Sequence, residues 1–401
     1  MIGHMCYAAS KLWNVCNYER YHYKEMKFKK YPDWYYQKSH HKNHVWYKSL
    51  PSQTAQEVCK LLDKSWKSFY KLQKTGGIEH PRPPRFKQEK MVITYMQNAV
   101  VHEKGSKRIR LSISKGLKGY MKETYDICEN YLYLENKIFQ NIDTIKQIKL
   151  YPPDEKDKCK IIVIYEIAKQ KLKPDHGHYL SIDLGLHNLM TCYDSDGKTF
   201  LLGRKYLSIC HRYHKKIAKM QMQWAKCQAA GGIKYPKPSK HLKKVYEKKN
   251  HTIHDYLHKI TRYIADYCVK EQITVVVIGD ITNIRSGVNY GKVTNQKLHS
   301  LPYKRIYEML EYKLAVQGIR LVKQEESYSS QCAPNTKKVS KRYAVKGNRK
   351  HRGLYCDDDR IYNADGVGAY NILRKYIAVS GISKELPISG LYKVDTIEVA
   401  V

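Results

Sequence analysis

Acidic residues are outnumbered in this chain, and three of them stand where a short apolar run ends or a helix begins. Asp183 closes Tyr179-Leu-Ser-Ile, Glu326 lies just past the run Ile319 to Val322, and Asp365 sits in Asn363-Ala-Asp-Gly. Carboxylates gathered at one place repel each other unless cations hold them, and an all-oxygen donor set that keeps some water suits Mg²⁺ or Mn²⁺. Two such ions roughly 3.5–4 Å apart hydrolyse phosphodiesters, one activating water and the other steadying the leaving oxygen. That chemistry needs no covalent nucleophile.

Those acids must be positioned by a sheet. Apolar runs of strand length occur at Tyr179 to Asp183, Leu189 to Tyr193 and Thr199 to Leu202. A long basic helical region follows, then a stripe of Ile253, Leu257, Ile260 and Ile264 at helical spacing. The strand Thr274 to Asp280, a helix over about Lys304 to Val316, the strand Ile319 to Val322 and a last helix through Asn363 to Leu373 complete the series. Three strands, helix, strand, helix, strand, helix is the RNase H order, and it brings the ends of the first, fourth and fifth strands to one edge with the last helix.

Upstream of this domain the pattern is different. Residues 1 to about 74 read as helical, with Ala8, Leu12, Val15 and Cys16, then Ala55, Val58, Leu61, Leu62, Trp66 and Phe69, recurring at helical spacing. The stretch Pro81-Arg-Pro-Pro-Arg-Phe86 breaks that pattern, and strand-like pieces at Met91 to Tyr95, Ile109 to Ile113 and Ile161 to Ile167 follow. The segment Lys171 to Gly177 reads as a linker and Gly287 to Asn295 as a loop. The expected division is therefore a helical part at 1–80, a β-rich part at 81–173 and the acid-bearing domain at 174–401.

The balance of 73 Lys and Arg against 37 Asp and Glu gives a formal net charge of +36. So large an excess points to a polyanionic partner, nucleic acid first. The eleven cysteines are scattered, with no CxxC pair and no framework spacing, which argues against a small disulfide-stapled secreted protein and for a reducing interior. No apolar run approaches the roughly 18 residues that span a bilayer, so no membrane partner is expected. Lys215, Lys216, Lys219, Lys243, Lys244 and Arg352 are the electrostatic candidates for nucleic-acid contact.

Four segments together resemble the TnpB family of insertion-sequence proteins, relatives of type V CRISPR effectors and Fanzor: Ser181-Ile-Asp-Leu-Gly-Leu186, Val277-Ile-Gly-Asp-Ile281, Ser327-Tyr-Ser-Ser330 and Asn363-Ala-Asp-Gly-Val-Gly-Ala-Tyr-Asn-Ile372. Their order and approximate spacing match, with support from Asn295-Gln-Lys-Leu-His and Tyr312-Lys. The resemblance implies an RNA-guided DNA endonuclease linked to a transposable element. It further implies an α-helical recognition lobe, a small β-barrel wedge domain, and an RNase H-like (RuvC) nuclease domain with a nucleic-acid-binding insertion at about 329–360. Its implied partners are a guide RNA and double-stranded target DNA bearing an adjacent short motif, and its cofactor is Mg²⁺ or Mn²⁺. Such a protein would work in the cytoplasm or nucleoid of a prokaryote, or in the nucleus for a eukaryotic or viral host.

This chain departs from the family pattern in three places. The usual acid before the Asp of the fourth strand is replaced by Gly279. Its neighbour Asp280 should point to the opposite face of the sheet, so the resemblance to relatives with a relocated glutamate carries the catalytic and metal-binding role to Glu326 beside Asp183 and Asp365, with Glu325 as the fallback. Where relatives carry two CxxC pairs, only Cys332 and Cys356 remain, too few for a closed zinc site; no zinc is expected there. Finally, the chain begins almost inside a helix, which would leave the β-rich domain one strand short. Two competing readings stand beside the nuclease: a nuclease-dead, RNA-guided DNA-binding repressor, which Gly279 suggests, and a protein-only transposase or resolvase on the same fold.

Overall fold

The computed structural model describes residues 1–400 apart from 77, 156, 168–169, 234–237, 283–290, 292–294, 297, 299, 350, 352 and 358–359. Arg352 and most of the expected loop at 287–295 therefore lie outside the described residues. The chain forms two compact units, Met1–Ile167 and Ala168–Val401.

The first unit opens with helices α1 (Ile2–Tyr21), α2 (Trp34–His40), α3 (Val45–Lys48) and α4 (Ser52–Thr75). Helix α4 stops at Gly76, which takes the left-handed conformation (φ +62°) that glycine adopts without a Cβ penalty. Strands β1 (Ile93–Met96), β2 (Val100–His102) and β3 (Arg108–Ser112) come next, then α5 (Lys115–Tyr125), β4 (Tyr131–Glu135), β5 (Thr144–Leu150) and β6 (Ile161–Glu166). They pair into two three-stranded antiparallel sheets, β1-β5-β6 and β2-β3-β4. Helices and strands share one apolar core, in which Leu12, Cys16, Val58 and Leu62 meet Ile93, Leu111 and Ile148. Leu61, which fits the helical spacing, instead faces solvent at 49 % exposure.

Helix α5 does not show in the sequence pattern. Its Gly116 and Gly119 lower helix propensity, yet the Ser114 hydroxyl caps the Leu117 N–H and the i,i+4 pair Leu117 and Met121 is buried. Tertiary burial overrides local preference here.

The second unit carries strands β7 (Tyr179–Asp183), β8 (Met190–Asp194) and β9 (Thr199–Leu202), then helices α6 (Lys205–Ala230) and α7 (Lys240–Lys270), strand β10 (Val275–Asp280), helix α8 (Tyr303–Ala315), strand β11 (Arg320–Glu325), the small hairpin β12 (Leu354–Asp357) and β13 (Arg360–Asn363), and helix α9 (Ala364–Val379). A short strand from the tail, β14 (Asp395–Thr396), closes one edge. The six-stranded sheet runs β11-β10-β7-β8-β9-β14. Strand β8 runs antiparallel to both β7 and β9, while β10 and β11 run parallel to β7. Strand β11 extends to Glu325, beyond the Val322 end expected from its apolar residues, and pairs beside β10 with Val277 opposite Val322 and Asp280 opposite Glu325.

Alternation along the strands decides what each face holds. Tyr179, Val275 and Val277 pack under α9, whereas Leu180, Ile182, Val276 and Ile278 pack against α6, α7 and α8. Helix α9 lies close on the sheet because Gly366, Gly368 and Ala369 offer little side chain; the Ser181 hydroxyl reaches its backbone, donating to the Ala369 carbonyl at 2.7 Å.

Candidate active site

Each of the three acids is held by a different local device. Asp183 is the last residue of β7 and, following Tyr179 and Ser181 at period two, points to the α9 face. A Cβ at Gly368 would stand 2.5 Å from Asp183 Oδ2, so a helix residue without a side chain makes the room this carboxylate occupies. Asp365 lies in the first turn of α9, where Asn363 caps the helix by accepting from the N–H groups of Asp365 and Gly366. A carboxylate is favoured at that end of a helix by the unsatisfied N–H groups. The side chain of Asp365 is oriented by Asn188, whose Nδ2 donates to Oδ2 at 2.8 Å, and by the Arg349 guanidinium at 3.3 Å from Oδ1.

Glu326 follows β11 directly and turns its carboxylate over β10. A Cβ at Gly279 would meet Glu326 Oε2 at 2.5 Å and Ile372 Cδ1 at 3.1 Å. The volume left by the missing side chain at 279 is thus filled by the glutamate from the neighbouring strand. Asp280 goes the other way: it is exposed, accepts from the N–H and hydroxyl of Thr282, and lines a cleft of about 470 Å³ with Tyr303 and Tyr307 of α8. Glu325 is exposed as well and pairs with Lys375.

Electrostatics mark Asp183 and Glu326 as strained without a counterion. Burial pushes the Asp183 carboxyl up to about 8, the charges of Glu326 and Asp365 add to this, and Arg349 opposes it. Burial likewise pushes Glu326 up to about 7, with Asp280 and Glu325 adding and Lys375 opposing. Glu326 Oε2 is buried with no hydrogen-bond partner, and an orphaned buried carboxylate oxygen is costly unless a cation or donor meets it. The oxygen donors fit Mg²⁺ or Mn²⁺.

A cleft of about 480 Å³ opens beside Asp365, lined by His187, Asn188, Arg204 and Arg349. Its two guanidiniums next to a carboxylate offer bidentate donors of the kind that hold phosphate oxygens. Sequence reading missed Asn188, Arg349 and the role of Gly368. Only Gly368 carried a local signal, a second glycine in the Asn363-Ala-Asp-Gly-Val-Gly segment, whereas Asn188 lies 177 residues from the acid it orients.

Of the basic candidates, Lys215, Lys216 and Lys219 are exposed on α6, opposite the buried Tyr213 and Ile217. Lys243 and Lys244 are exposed on α7, flanking the buried Leu242 and Val245. Arg352 lies outside the described residues. Cys332 is buried and its thiol donates to the Ser340 carbonyl, while Cys356 sits in β12. The Ser327-Tyr-Ser-Ser segment is tied to α9 through Asn371, whose Nδ2 donates to the carbonyls of Ser329 and Cys332.

Residues 162–285 match the family model OrfB_IS605, described as "Probable transposase", and residues 303–372 match the TNB domain of the Cas12f1-like type. Over these two segments the chain is similar to the TnpB/OrfB family. A TnpB-like protein of Methanocaldococcus jannaschii is 23 % identical over 200 residues, spanning 49 % of this chain and 69 % of the relative. Among solved structures, one titled as the Cas12f1-sgRNA-target DNA complex is similar over 92 % of this chain and 81 % of that one, at 13 % identity and a TM-score of 0.54. A second, titled as a CRISPR-Cas12f ternary complex, covers 92 % and 80 % at 14 % identity with a TM-score of 0.39. The chain therefore has a mixed α/β fold resembling that in the Cas12f1 complex.

Proposed function

We propose that this chain is an RNA-guided DNA endonuclease, cutting with one RNase H-like (RuvC) site in which Asp183, Glu326 and Asp365 hold two divalent metal ions. The observation that carries the reading is the Glu326 carboxylate seated over Gly279. A side chain from the adjacent strand supplies an acid at the place where the family pattern has one and this sequence has glycine.

Bound Mg²⁺ or Mn²⁺ supplies charge neutralisation and water activation for phosphodiester hydrolysis. The protein's own part is positional. Asn188 and Arg349 fix the rotamer of Asp365, Gly368 admits Asp183, and Arg204 with Arg349 orients a phosphate at the cleft mouth. The helices of residues 1–80 serve as a recognition lobe, the strands of 81–173 as a wedge, and 174–401 as the nuclease domain. Sequence reading of the target is left to pairing with a guide RNA, while the protein grips backbones.

The test is cleavage of a plasmid bearing a guide-matched target by purified protein, RNA and Mg²⁺. Wild type cuts only with guide RNA; Glu326→Ala loses more than ~100-fold, beyond the loss typical of a group that merely orients a ligand, and Asp280→Ala keeps cutting. Guide-dependent binding without cutting by wild type would replace this reading with the repressor. Cutting that needs no guide would favour a protein-only transposase or resolvase.

A further inference from the structure

Away from the acidic site, a second group of side chains reaches metal-ligand spacing in the first unit. Glu19 in the last turns of α1, His40 at the end of α2 and His41 at the start of the turn His41–Asn43 bring their donor atoms within 4.8 Å of one another. Glu19 Oε1 lies 2.9 Å from His41 Nε2 and 3.7 Å from His40 Nε2. Tetrahedral zinc with Zn–N and Zn–O distances near 2.0–2.2 Å separates its ligand atoms by roughly 3.3–3.5 Å, and the two observed separations bracket that value.

Glu19 and His41 lie at ion-pair distance, but they are poorly aligned for a hydrogen bond. His41 is buried, and its Nε2 makes no hydrogen bond despite standing 2.9 Å from a carboxylate oxygen. Ring nitrogen and oxygen are close but out of line, as two ligands are when both face a common third point. The rest of the surroundings behaves like the outer shell of a metal site, which fixes the ligating carboxylate. Gln37 Nε2 donates to Glu19 Oε2 at 3.0 Å, Gln37 Oε1 accepts from Arg20 Nε at 3.0 Å, and Arg20 Nη1 pairs with Asp63 at 3.0 Å. The His40 side chain is 50 % exposed, which gives an ion a way in and a water a place to sit.

We propose that Glu19, His40 and His41 bind one divalent transition-metal ion of the zinc class, with water as the fourth ligand, and so staple α1 to the turn after α2. Imidazole and carboxylate without thiolate suit such an ion better than Mg²⁺, which prefers an all-oxygen octahedron. The site is separate from the Cys332 and Cys356 remnant and from the acids of the nuclease domain. Its role is structural: an ion that binds the folded chain and not the unfolded one raises stability by mass action.

The experiment uses the full chain, stripped with chelator and held in excess Mg²⁺ so that the nuclease acids are occupied. Zn²⁺ is titrated by calorimetry, Co²⁺ by absorption, and melting is followed with and without Zn²⁺. Expected are one tight site per chain, affinity at least ~10-fold weaker in both His40→Ala and Glu19→Gln, Co²⁺ visible bands of a four-coordinate N/O site without intense thiolate charge transfer, and a Zn²⁺-dependent rise in melting temperature in wild type alone. The half-exposed His40 keeps the test open should Glu19→Gln fail to fold. Unchanged Zn²⁺ affinity in His40→Ala, a thiolate band from the cysteines, or no tight binding at all would overturn the proposal.

Discussion

At the scale of single residues, the site depends on two glycines and the carboxylates that fill their space. Without a counterion Asp183 and Glu326 are held up at about 8 and about 7, against ordinary values of about 3.9 and 4.3. A carboxyl raised on folding binds its proton more tightly in the folded chain, so stability falls as pH climbs from the unfolded value to the folded one. In chelator, the second unit should therefore lose several degrees of melting temperature between pH 5 and pH 8, and Mg²⁺ at pH 8 should restore them. Calorimetry of wild type against Asp183→Asn checks this: the variant lacks one of the two titrating groups and should show a shallower slope. Identical slopes would remove the electrostatic strain from the site.

At the scale of elements, the close approach of α9 to β7 is the fragile dimension. Gly368→Ala sets two effects against each other. Alanine favours helix by about 1 kcal/mol over glycine, whereas a Cβ 2.5 Å from Asp183 Oδ2 must displace either the carboxylate or the helix, at a cost of about 1–3 kcal/mol. Net stability should change by less than about 2 kcal/mol while cleavage of a matched target falls steeply, a split that melting and cleavage assays on one preparation would reveal. Retained cleavage would mean that Asp183 has room to move without loss of function. Much of this arrangement was readable beforehand. The strand Tyr179 to Asp183 announces itself by an apolar run ending in an acid, and the parity of Gly279 and Asp280 sends Asp280 to the α8 side, where the structure has it. The seat of Glu326 was readable only through the motif that follows it, because a side chain reaching across from a neighbouring strand leaves no periodic signal. Helix α5 was hidden by its glycines, and the Glu19, His40, His41 group by the 20 residues between its first and second members.

At the scale of the whole molecule, 73 basic against 37 acidic residues set how the chain meets a polyanion, and helix α6 shows how that charge is displayed. Tyr213 and Ile217 bury one face, leaving Lys215, Lys216 and Lys219 together on the exposed one. If those lysines lie on phosphates in a guide–target complex, each contact releases condensed counterions, and the logarithm of affinity falls with the logarithm of salt by about 0.7–0.9 per phosphate neutralised. Replacing all three by alanine should then lower the slope for guide RNA or heteroduplex by about 2–3 and weaken binding uniformly across sequences. Filter binding or anisotropy at several salt concentrations measures that slope directly. Replacement also removes three charges from the general field of the protein, which would slow encounter at low salt whether or not phosphates are touched. The equilibrium slope separates the two cases, because a diffuse field alters association rates while only a neutralised phosphate alters the number of ions released. An unchanged slope with a lower association rate would leave these lysines as steering charges and move the phosphate contacts to other basic faces of the chain.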